Sequence, residues 1–401
     1  MKNSLINVFG TILLAISQWL QIFVIARYVG IYEAGIFSLF LAILAPVTIL
    51  TRFNFINIIP TYNGNKISKN EFLNFRNLSN SLLIFICLII MILNDFSTYE
   101  NICFIIFIII KFIESHEEMY YSYMIKDGNI KQFSKCKMFK AIANIILVII
   151  SMILSHSLIS LISGILIAQI LSIFYASRIS NFNYGYSLKL KKNIIKKIFS
   201  LGIGVTIATL LSSMIVTLPK YILQIKASTE ELGVFSLLLF FSTLVNNIVI
   251  TINQSLIKEL VDIYNVNPNM LGKKISKIHL FFLLICIIGI CVCSLFGTEI
   301  VSFIYGNTFR DYWLEILLLS IFISINIIFK VNEMLMNVLN LFSPQFYIQI
   351  MSLLILLVMM IYKSDNTREM FISMIISLLS AVFLQIFTII IFFNRRERKY
   401  Q

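Results

Sequence analysis

A short segment of this chain occurs twice, half a chain apart. Residues 33–39 read Glu-Ala-Gly-Ile-Phe-Ser-Leu, and residues 231–237 read Glu-Leu-Gly-Val-Phe-Ser-Leu, in a sequence of 401 residues. Each copy lies between two long apolar stretches. Repetition at half the chain length is typical of proteins built from two similar structural units. The chain is therefore predicted to fold as two related halves.

The composition places both halves in a membrane. Hydrophobic residues make up 59% of the sequence and charged residues only 13%, with a mean hydropathy of +0.92. Soluble domains are roughly one-quarter charged, and apolar runs of about 20 residues are long enough to cross the hydrocarbon core as helices. We predict an all-α polytopic membrane protein with about twelve transmembrane helices. The predicted spans are 5–26, 36–59, 79–94, 102–124, 141–156, 161–177, 199–219, 234–257, 279–296, 313–340, 347–362 and 371–393.

The basic residues are distributed unevenly between the loops. With a cytoplasmic N-terminus, most of the 32 lysines and arginines lie in cytoplasmic segments, among them 60–78 and 125–140. This bias predicts that both termini are cytoplasmic. Six spans precede the second half, so both halves enter the membrane in the same direction and form a parallel repeat. We predict two six-helix bundles around a central cavity, residues 1–177 and 199–401, joined by a basic cytoplasmic linker, residues 178–198.

The net charge of +13 does not require a nucleic-acid partner. Membrane topology and contact with the anionic headgroups of a phospholipid bilayer account for it. The sequence has three histidines and six cysteines without a Cys-x-x-Cys pair, which gives no support for a metal site or a cofactor. It also lacks the Gly-x-x-x-x-Gly-Lys loop that binds nucleotide phosphates. Two parallel bundles around a cavity are typical of transporters. Without a nucleotide site, such a transporter is expected to take its energy from a gradient of H⁺ or Na⁺ or from consumption of the product.

Charges inside the predicted spans are the strongest functional signal. Each costs roughly 2.5–3.5 kcal/mol at the centre of a transmembrane helix, so such residues rarely lack a role. Arg52 has no acidic residue three or four positions away. It is expected to face water, an acid on another helix or an anionic ligand. We interpret Arg52 as the first candidate for substrate binding, with snorkelling to the headgroups as the alternative.

Two lysine–glutamate pairs occupy corresponding places in the two halves. Lys111 precedes Glu114 by one helical turn, and Lys330 precedes Glu333 with the same spacing. Such pairs can neutralise themselves on one helix face, which favours a structural role. Alternatively, the lysines bind the substrate and the glutamates take up a proton in a site of low dielectric constant.

Two further basic residues lie near the predicted outer ends of the first and seventh spans. They are Arg27 and Lys220, at positions related by the repeat. Both are candidates for receiving the anionic groups of a substrate on exit. The alternative is ordinary anchoring at the membrane interface.

Three segments resemble elements of a known family. Residues 26–38 (Ala-Arg-Tyr-Val-Gly-Ile-Tyr-Glu-Ala-Gly-Ile-Phe-Ser), 218–221 (Leu-Pro-Lys-Tyr) and 304–309 (Ile-Tyr-Gly-Asn-Thr-Phe) are similar to segments of polysaccharide flippases of the multidrug/oligosaccharidyl-lipid/polysaccharide exporter superfamily. Lys220 stands where relatives tend to have arginine, so a bidentate grip on phosphate is lost there.

The resemblance implies a membrane transporter rather than an enzyme. Its substrate would be an undecaprenyl-pyrophosphate-linked oligosaccharide, such as a repeat unit of a capsule or of the O-antigen of lipopolysaccharide. The transporter would turn this lipid from the cytoplasmic to the outer leaflet of the bacterial inner membrane. A polysaccharide polymerase and a chain-length regulator would be its partners.

Two other functions remain open at this point. A cation-coupled multidrug exporter would have the same fold, but its cavity is expected to be dominated by acidic residues. A membrane-embedded glycan polymerase or ligase would need large external loops with catalytic side chains, whereas the predicted external segments are short.

Overall fold

The computed structural model describes residues 2–62, 67–180, 191–266, 268–339, 341–362 and 365–400. It is 93% helical, with no strand among these residues. The helices are α1 (Lys2–Val24), α2 (Ile31–Arg52), α3 (Phe55–Thr61), α4 (Lys69–Leu93), α5 (Thr98–Lys126), α6 (Ile130–Leu154), α7 (Leu158–Ile179), α8 (Lys192–Lys226), α9 (Thr229–Val266), α10 (Pro268–Tyr305), α11 (Trp313–Val338), α12 (Phe342–Tyr362) and α13 (Thr367–Tyr400).

The helices confirm an all-α polytopic membrane fold with about twelve spans. Ten helical segments of the described chain are long and apolar enough to cross a membrane, and α8, which bends by 45° between Ile207 and Thr209, is an eleventh. Helix α5 has 29 residues, and its many charged side chains set it apart from these segments. Since a helix of about 20 residues crosses the hydrocarbon core, α5 completes a set of twelve.

Local sequence signals fix where α4 and α5 begin. Ser68 and Glu71 form a capping box at the start of α4, and Ser97 and Glu100 form another at the start of α5. In each box the serine hydroxyl accepts the N–H of the glutamate while the carboxylate accepts the N–H of the serine. These bonds satisfy backbone donors that the first turn leaves free. They set the register of the two helices that carry most of the buried charges.

The chain divides into two compact units, Met1–Thr217 and Leu218–Gln401. The division falls inside α8, whereas the sequence analysis placed the boundary in the linker of residues 178–198. Residues 181–190, which form much of that linker, lie outside the part of the chain that the structure describes.

Each unit is organised around one central helix. In the first unit, α5 packs against α2, α4, α6 and α7. In the second unit, α11 packs against α9, α10, α12 and α13, which correspond along the chain to α2, α4, α6 and α7. The central helices α5 and α11 are those that carry the two lysine–glutamate pairs. The repeat seen in the sequence therefore recurs in the packing of the two units.

Helix α2 stops abruptly after Arg52. Phe53 and Asn54 have φ angles of 52° and 48°, the left-handed region that non-glycine residues rarely enter. Phe53 is held there by aromatic packing, with its ring centroid 5.0 Å from Phe75 and 5.4 Å from Phe199. The break starts a new helix, α3, and leaves Arg52 at the end of α2, beside a cavity.

Candidate functional site

The first unit contains a cavity of about 340 Å³ that is lined by charged side chains. We call it the charged cavity. It lies among α1, α2, α3, α5, α6 and α8. Its lining residues are Leu14, Ile49, Arg52, Asn54, Ile56, Glu114, Glu117, Glu118, Tyr121, Lys137, Lys140 and Thr209.

Arg52 is paired with an acid on another helix. Its Nη2 donates a hydrogen bond of 2.8 Å to Oε2 of Glu114 on α5, and its Nε lies 3.8 Å from Oε2 of Glu118. Of the surroundings expected from the sequence, the structure shows an acid on a neighbouring helix. The spacing on α2 alone could not identify this partner, because Glu114 is 62 residues away in sequence.

Glu114 is shared by three cations. Besides Arg52, it accepts a hydrogen bond of 2.9 Å from Nζ of Lys111, which confirms the predicted pair on α5. Its Oε1 lies 3.7 Å from Nζ of Lys140 on α6. The pair that was expected to neutralise itself on one helix is thus part of a network that joins α2, α5 and α6.

Glu117 anchors Lys140 from the other side. Its side chain is only 1% exposed, and its Oε2 accepts hydrogen bonds of 2.8 Å from Lys140 and from Nε2 of Gln169 on α7. Its Oε1 accepts hydrogen bonds from the hydroxyl groups of Tyr121 and Ser172. A buried carboxylate with this many donors fixes the position of the lysine ammonium group.

Glu118 connects the cavity to a fully buried arginine. Its Oε1 accepts the backbone N–H of Ile56, and its Oε2 lies 3.8 Å from Nη2 of Arg76 on α4. Arg76 is 0% exposed, donates to Oγ of Ser115 over 3.0 Å, and lies over the ring of Phe55 at 4.6 Å. Cation–π contact and hydrogen bonding together compensate part of the cost of burying a guanidinium group.

Lys137 adds a basic side chain on the α1 side of the cavity. Its Nζ donates to Oγ1 of Thr11 at 3.2 Å and lies within 3.5 Å of Oδ1 of Asn7. These partners on α1 are neutral, so they hold the ammonium group without cancelling its charge. Within the described chain Lys137 forms no ion pair.

Counting formal charges shows that the cluster is basic. The cavity lining holds three cations, Arg52, Lys137 and Lys140, and three carboxylates, Glu114, Glu117 and Glu118. Arg76 and Lys111 do not line the cavity, but they pair with these carboxylates and bring the cluster to five cations. Among packed helices, where the effective dielectric constant is lower than in water, such an excess attracts anions more strongly than it would at a surface.

The corresponding pair in the second unit has neutral neighbours. Lys330 donates to Oε2 of Glu333 over 2.7 Å, as predicted. The other oxygen of Glu333 accepts the side-chain amides of Gln345 and Gln349 on α12, at 3.0 and 3.1 Å. This pair stays neutral as a group.

The two outer candidates, Arg27 and Lys220, belong to different units. Arg27 is exposed, in a π-helical turn, Ile25–Val29, that follows α1. Lys220 is half-buried in α8, in the second unit. Neither lines the charged cavity.

Sequence reasoning missed Arg76 and Lys140, which it assigned to cytoplasmic segments 60–78 and 125–140. Both are buried within membrane-spanning helices, because α4 and α6 begin about three turns earlier than the apolar runs indicate. A signal for Lys140 was present: Lys137, Lys140 and Asn144 lie on one face of α6 at helical spacing. No group of three or more metal-ligating side chains occurs among the described residues.

Comparisons with known proteins agree with this architecture. No family model matches the sequence. The chain is 24% identical over 322 residues to the capsular polysaccharide biosynthesis protein CapF of Staphylococcus aureus, covering 78% of each protein.

Solved structures with a similar fold are transporters. The lipid II flippase MurJ in an inward closed conformation aligns with a TM-score of 0.75 and 14% identity, over 96% of this chain and 87% of that chain. An inward-facing multidrug resistance transporter of the MATE family of the MOP superfamily aligns with a TM-score of 0.70 and 9% identity, over 95% and 96%. A MOP superfamily transporter from Pyrococcus furiosus aligns with a TM-score of 0.63 and 12% identity, over 96% and 94%. At these identities the likeness establishes the fold, which is that of the MATE and MurJ transporters.

Proposed function

We propose that this membrane protein, which has the fold of MATE and MurJ, is a flippase for an undecaprenyl-pyrophosphate-linked oligosaccharide. It would move the lipid from the cytoplasmic to the outer leaflet by alternating access. The observation that carries the proposal is the cluster of five cations and three carboxylates that lines and adjoins the charged cavity. The similarity to a protein of capsular polysaccharide biosynthesis and the fold of a lipid II flippase support the class of substrate.

The chemistry of the cavity suits a pyrophosphate headgroup. Arg52 carries a planar guanidinium group that can donate two parallel hydrogen bonds to phosphate oxygens. Lys140 and Lys137 add point charges from α6. The lining also includes the apolar residues Leu14 and Ile49, which lower the polarity of the surroundings in which these charges act.

The other candidate residues from the sequence are proposed to contact the substrate outside the main site or to couple transport to an ion. Lys111 and Lys330 are candidate substrate contacts through their exposed fractions, 22% and 23% of each side chain. Arg27 and Lys220 are candidate contacts on the exit path. Glu114 and Glu333 are the candidates for coupling to H⁺, and Na⁺ is the alternative coupling ion.

We further propose the bacterial inner membrane as the location, with both termini cytoplasmic. This rests on the distribution of lysine and arginine between the loops. A polysaccharide polymerase and a chain-length regulator would take the product. Cysteine labelling from outside the cell is expected to miss a cysteine placed at position 398, and labelling there would overturn the topology.

A cation-coupled multidrug exporter is the second candidate function. It is favoured by the MATE transporters among the structures of the same fold, and by three carboxylates around one cavity. The two functions differ in what accumulates when the protein is absent.

Deletion of the gene tests both functions. The flippase proposal predicts that undecaprenyl-linked repeat units accumulate on the cytoplasmic side, while susceptibility to cationic drugs stays unchanged. The lipid fraction would be analysed by mass spectrometry, with restoration by the wild-type gene as the control. Unchanged lipid pools together with increased drug susceptibility would replace the flippase by the exporter.

A further inference from the structure

Glu114 occupies the position that an anionic ligand would take in the charged cavity. Its carboxylate is held by Arg52 at 2.8 Å and Lys111 at 2.9 Å, with Lys140 at 3.7 Å. All three partners are cations from three different helices. A carboxylate surrounded in this way has the surroundings of a bound phosphate group.

The other two carboxylates of the cluster differ from Glu114. Glu117 is 1% exposed and is fixed by neutral donors on α5 and α7 as well as by Lys140. Glu118 is 11% exposed and accepts a backbone N–H at the start of α3. Glu114 is 27% exposed, and its hydrogen bonds within the described chain come from cations alone. It is therefore the carboxylate that can leave its partners without stranding a neutral donor or a backbone group.

We propose that Glu114 is an internal counter-anion that the pyrophosphate of the substrate displaces. The inference rests on the proposed function and adds a role for a specific residue. In the empty site, Glu114 offsets one unit of the positive charge that Arg52 and Lys111 carry together. A ligand must exceed the charge of one carboxylate to replace it, so a pyrophosphate competes well while neutral lipids and monovalent anions do not. The same carboxylate returns to the cations when the lipid leaves, which makes binding reversible.

This arrangement gives specificity through competition. Charged groups of a site that lacks such a counter-ion would hold a multivalent anion tightly and release it slowly. Glu114 lowers the affinity for the headgroup and sets which headgroups enter. Glu118 lies near the same arginine but 3.8 Å from its Nε, so it contributes to the field without occupying the donor at Nη2.

The test compares two substitutions that remove the same charge from the same cluster. Glu114→Gln and Glu118→Gln are made in the full-length protein, which is reconstituted in nanodiscs and titrated with farnesyl pyrophosphate, with farnesol as the uncharged control. Glu114→Gln is expected to bind farnesyl pyrophosphate about tenfold more tightly, because a hydrogen bond between ions is freed for the ligand. Glu118→Gln is expected to tighten binding about threefold or less, through the field alone.

A second measurement, the rate of export, distinguishes competition between Glu114 and the headgroup from a simple change in the net charge of the cavity. If Glu114 makes binding reversible, Glu114→Gln slows the appearance of glycan at the cell surface while the protein binds the probe more tightly. Glu259→Gln, which removes an exposed carboxylate paired with Lys274 at 2.7 Å in the second unit, is the control for the loss of one negative charge and leaves the affinity for farnesyl pyrophosphate unchanged.

Equal tightening by Glu114→Gln and Glu118→Gln would overturn the counter-anion role and leave the flippase proposal intact. A different result would count against the proposed function itself. If Arg52→Ala binds farnesyl pyrophosphate as tightly as the wild type does, the charged cavity is not the headgroup site.

Discussion

The lysine–glutamate pairs of α5 and α11 are the same motif on corresponding central helices, in different surroundings. Lys111 and Glu114 lie within a network of further ions, whereas Lys330 and Glu333 are closed off by amides. In the first unit, α6 presents Lys137 and Lys140 to the cavity. In the second unit, the corresponding helix α12 presents Gln345 and Gln349 to the glutamate.

The difference also extends to α2 and α9. Aligned on the repeated segment, the position of Arg52 corresponds to Ile250 in the second half. The second unit thus lacks the arginine and both α6 lysines at the corresponding places. One motif serves as part of a basic site in one unit and as a neutral pair in the other. The side chains on the neighbouring helices, rather than the motif itself, decide whether the pair belongs to a basic site or stays neutral.

The largest effect is expected from Arg52→Ala. It removes the guanidinium group of the charged cavity, so it should abolish surface glycan without lowering the amount of protein in the membrane. Arg52→Lys should keep part of the activity, since the charge remains but the bidentate donor is lost. Both are measured by surface glycan staining and immunoblotting.

Lys330→Ala is the matched change in the second unit and should reduce export much less. Full export by Arg52→Ala at normal abundance would limit Arg52 to a structural ion pair with Glu114. It would also remove the functional difference between the two units.

Glu117→Ala is expected to destabilise the first unit strongly. It leaves Lys140 buried without its main partner, and breaking a buried ion pair costs about 3–5 kcal/mol. Thermal unfolding can be followed with a thiol-reactive fluorophore in a background that carries Cys291→Ser and Cys293→Ser, because those two cysteines are accessible in the folded protein whereas Cys136 on α6 is buried. Ser172→Ala, which removes one neutral donor to the same carboxylate, is the control and should cost about 1 kcal/mol. Similar unfolding temperatures for both variants would show that Glu117 does not anchor Lys140.

Lys140→Gln makes α6 resemble α12 at one position. Because the cavity loses one cation while the amide can still donate to Glu117, the fold should be retained. Affinity for farnesyl pyrophosphate is expected to fall about tenfold, equivalent to about 1.4 kcal/mol. Titration in nanodiscs measures it, and an unchanged affinity would mean that α6 does not contribute to binding.

The smallest effect is expected from Glu333→Gln. The amide oxygen can still accept from Gln345 and Gln349, so stability should change by about 1 kcal/mol. Export at neutral pH should remain within about twofold of wild type. If export instead becomes independent of the pH gradient, Glu333 is the residue that couples transport to protons, and the second unit is not merely a neutral counterpart.

Much of the architecture was predictable from the sequence. Helical membrane spans follow from long apolar runs, because an unpaired backbone group in hydrocarbon is too costly for other structures. The pairs at Lys111 and Lys330 were predictable too, since spacing on one helix is set by local geometry. The hydropathy of the sequence did not predict that Arg76 and Lys140 lie inside membrane-spanning helices. Hydropathy marks the apolar part of a helix and not the polar turns at its start.

The sequence by itself determined the membrane class and the short-range ion pairs, which depend on local apolar runs and on helical spacing, and the repeat, which is seen by comparing the two halves directly. Only the tertiary structure decided that Arg52 meets Glu114, that Lys140 lies between Glu114 and Glu117, and that amides close the pair of the second unit. These contacts join residues far apart in sequence. The physical reason is that a charge buried among helices must find its partner on whichever helix packs beside it.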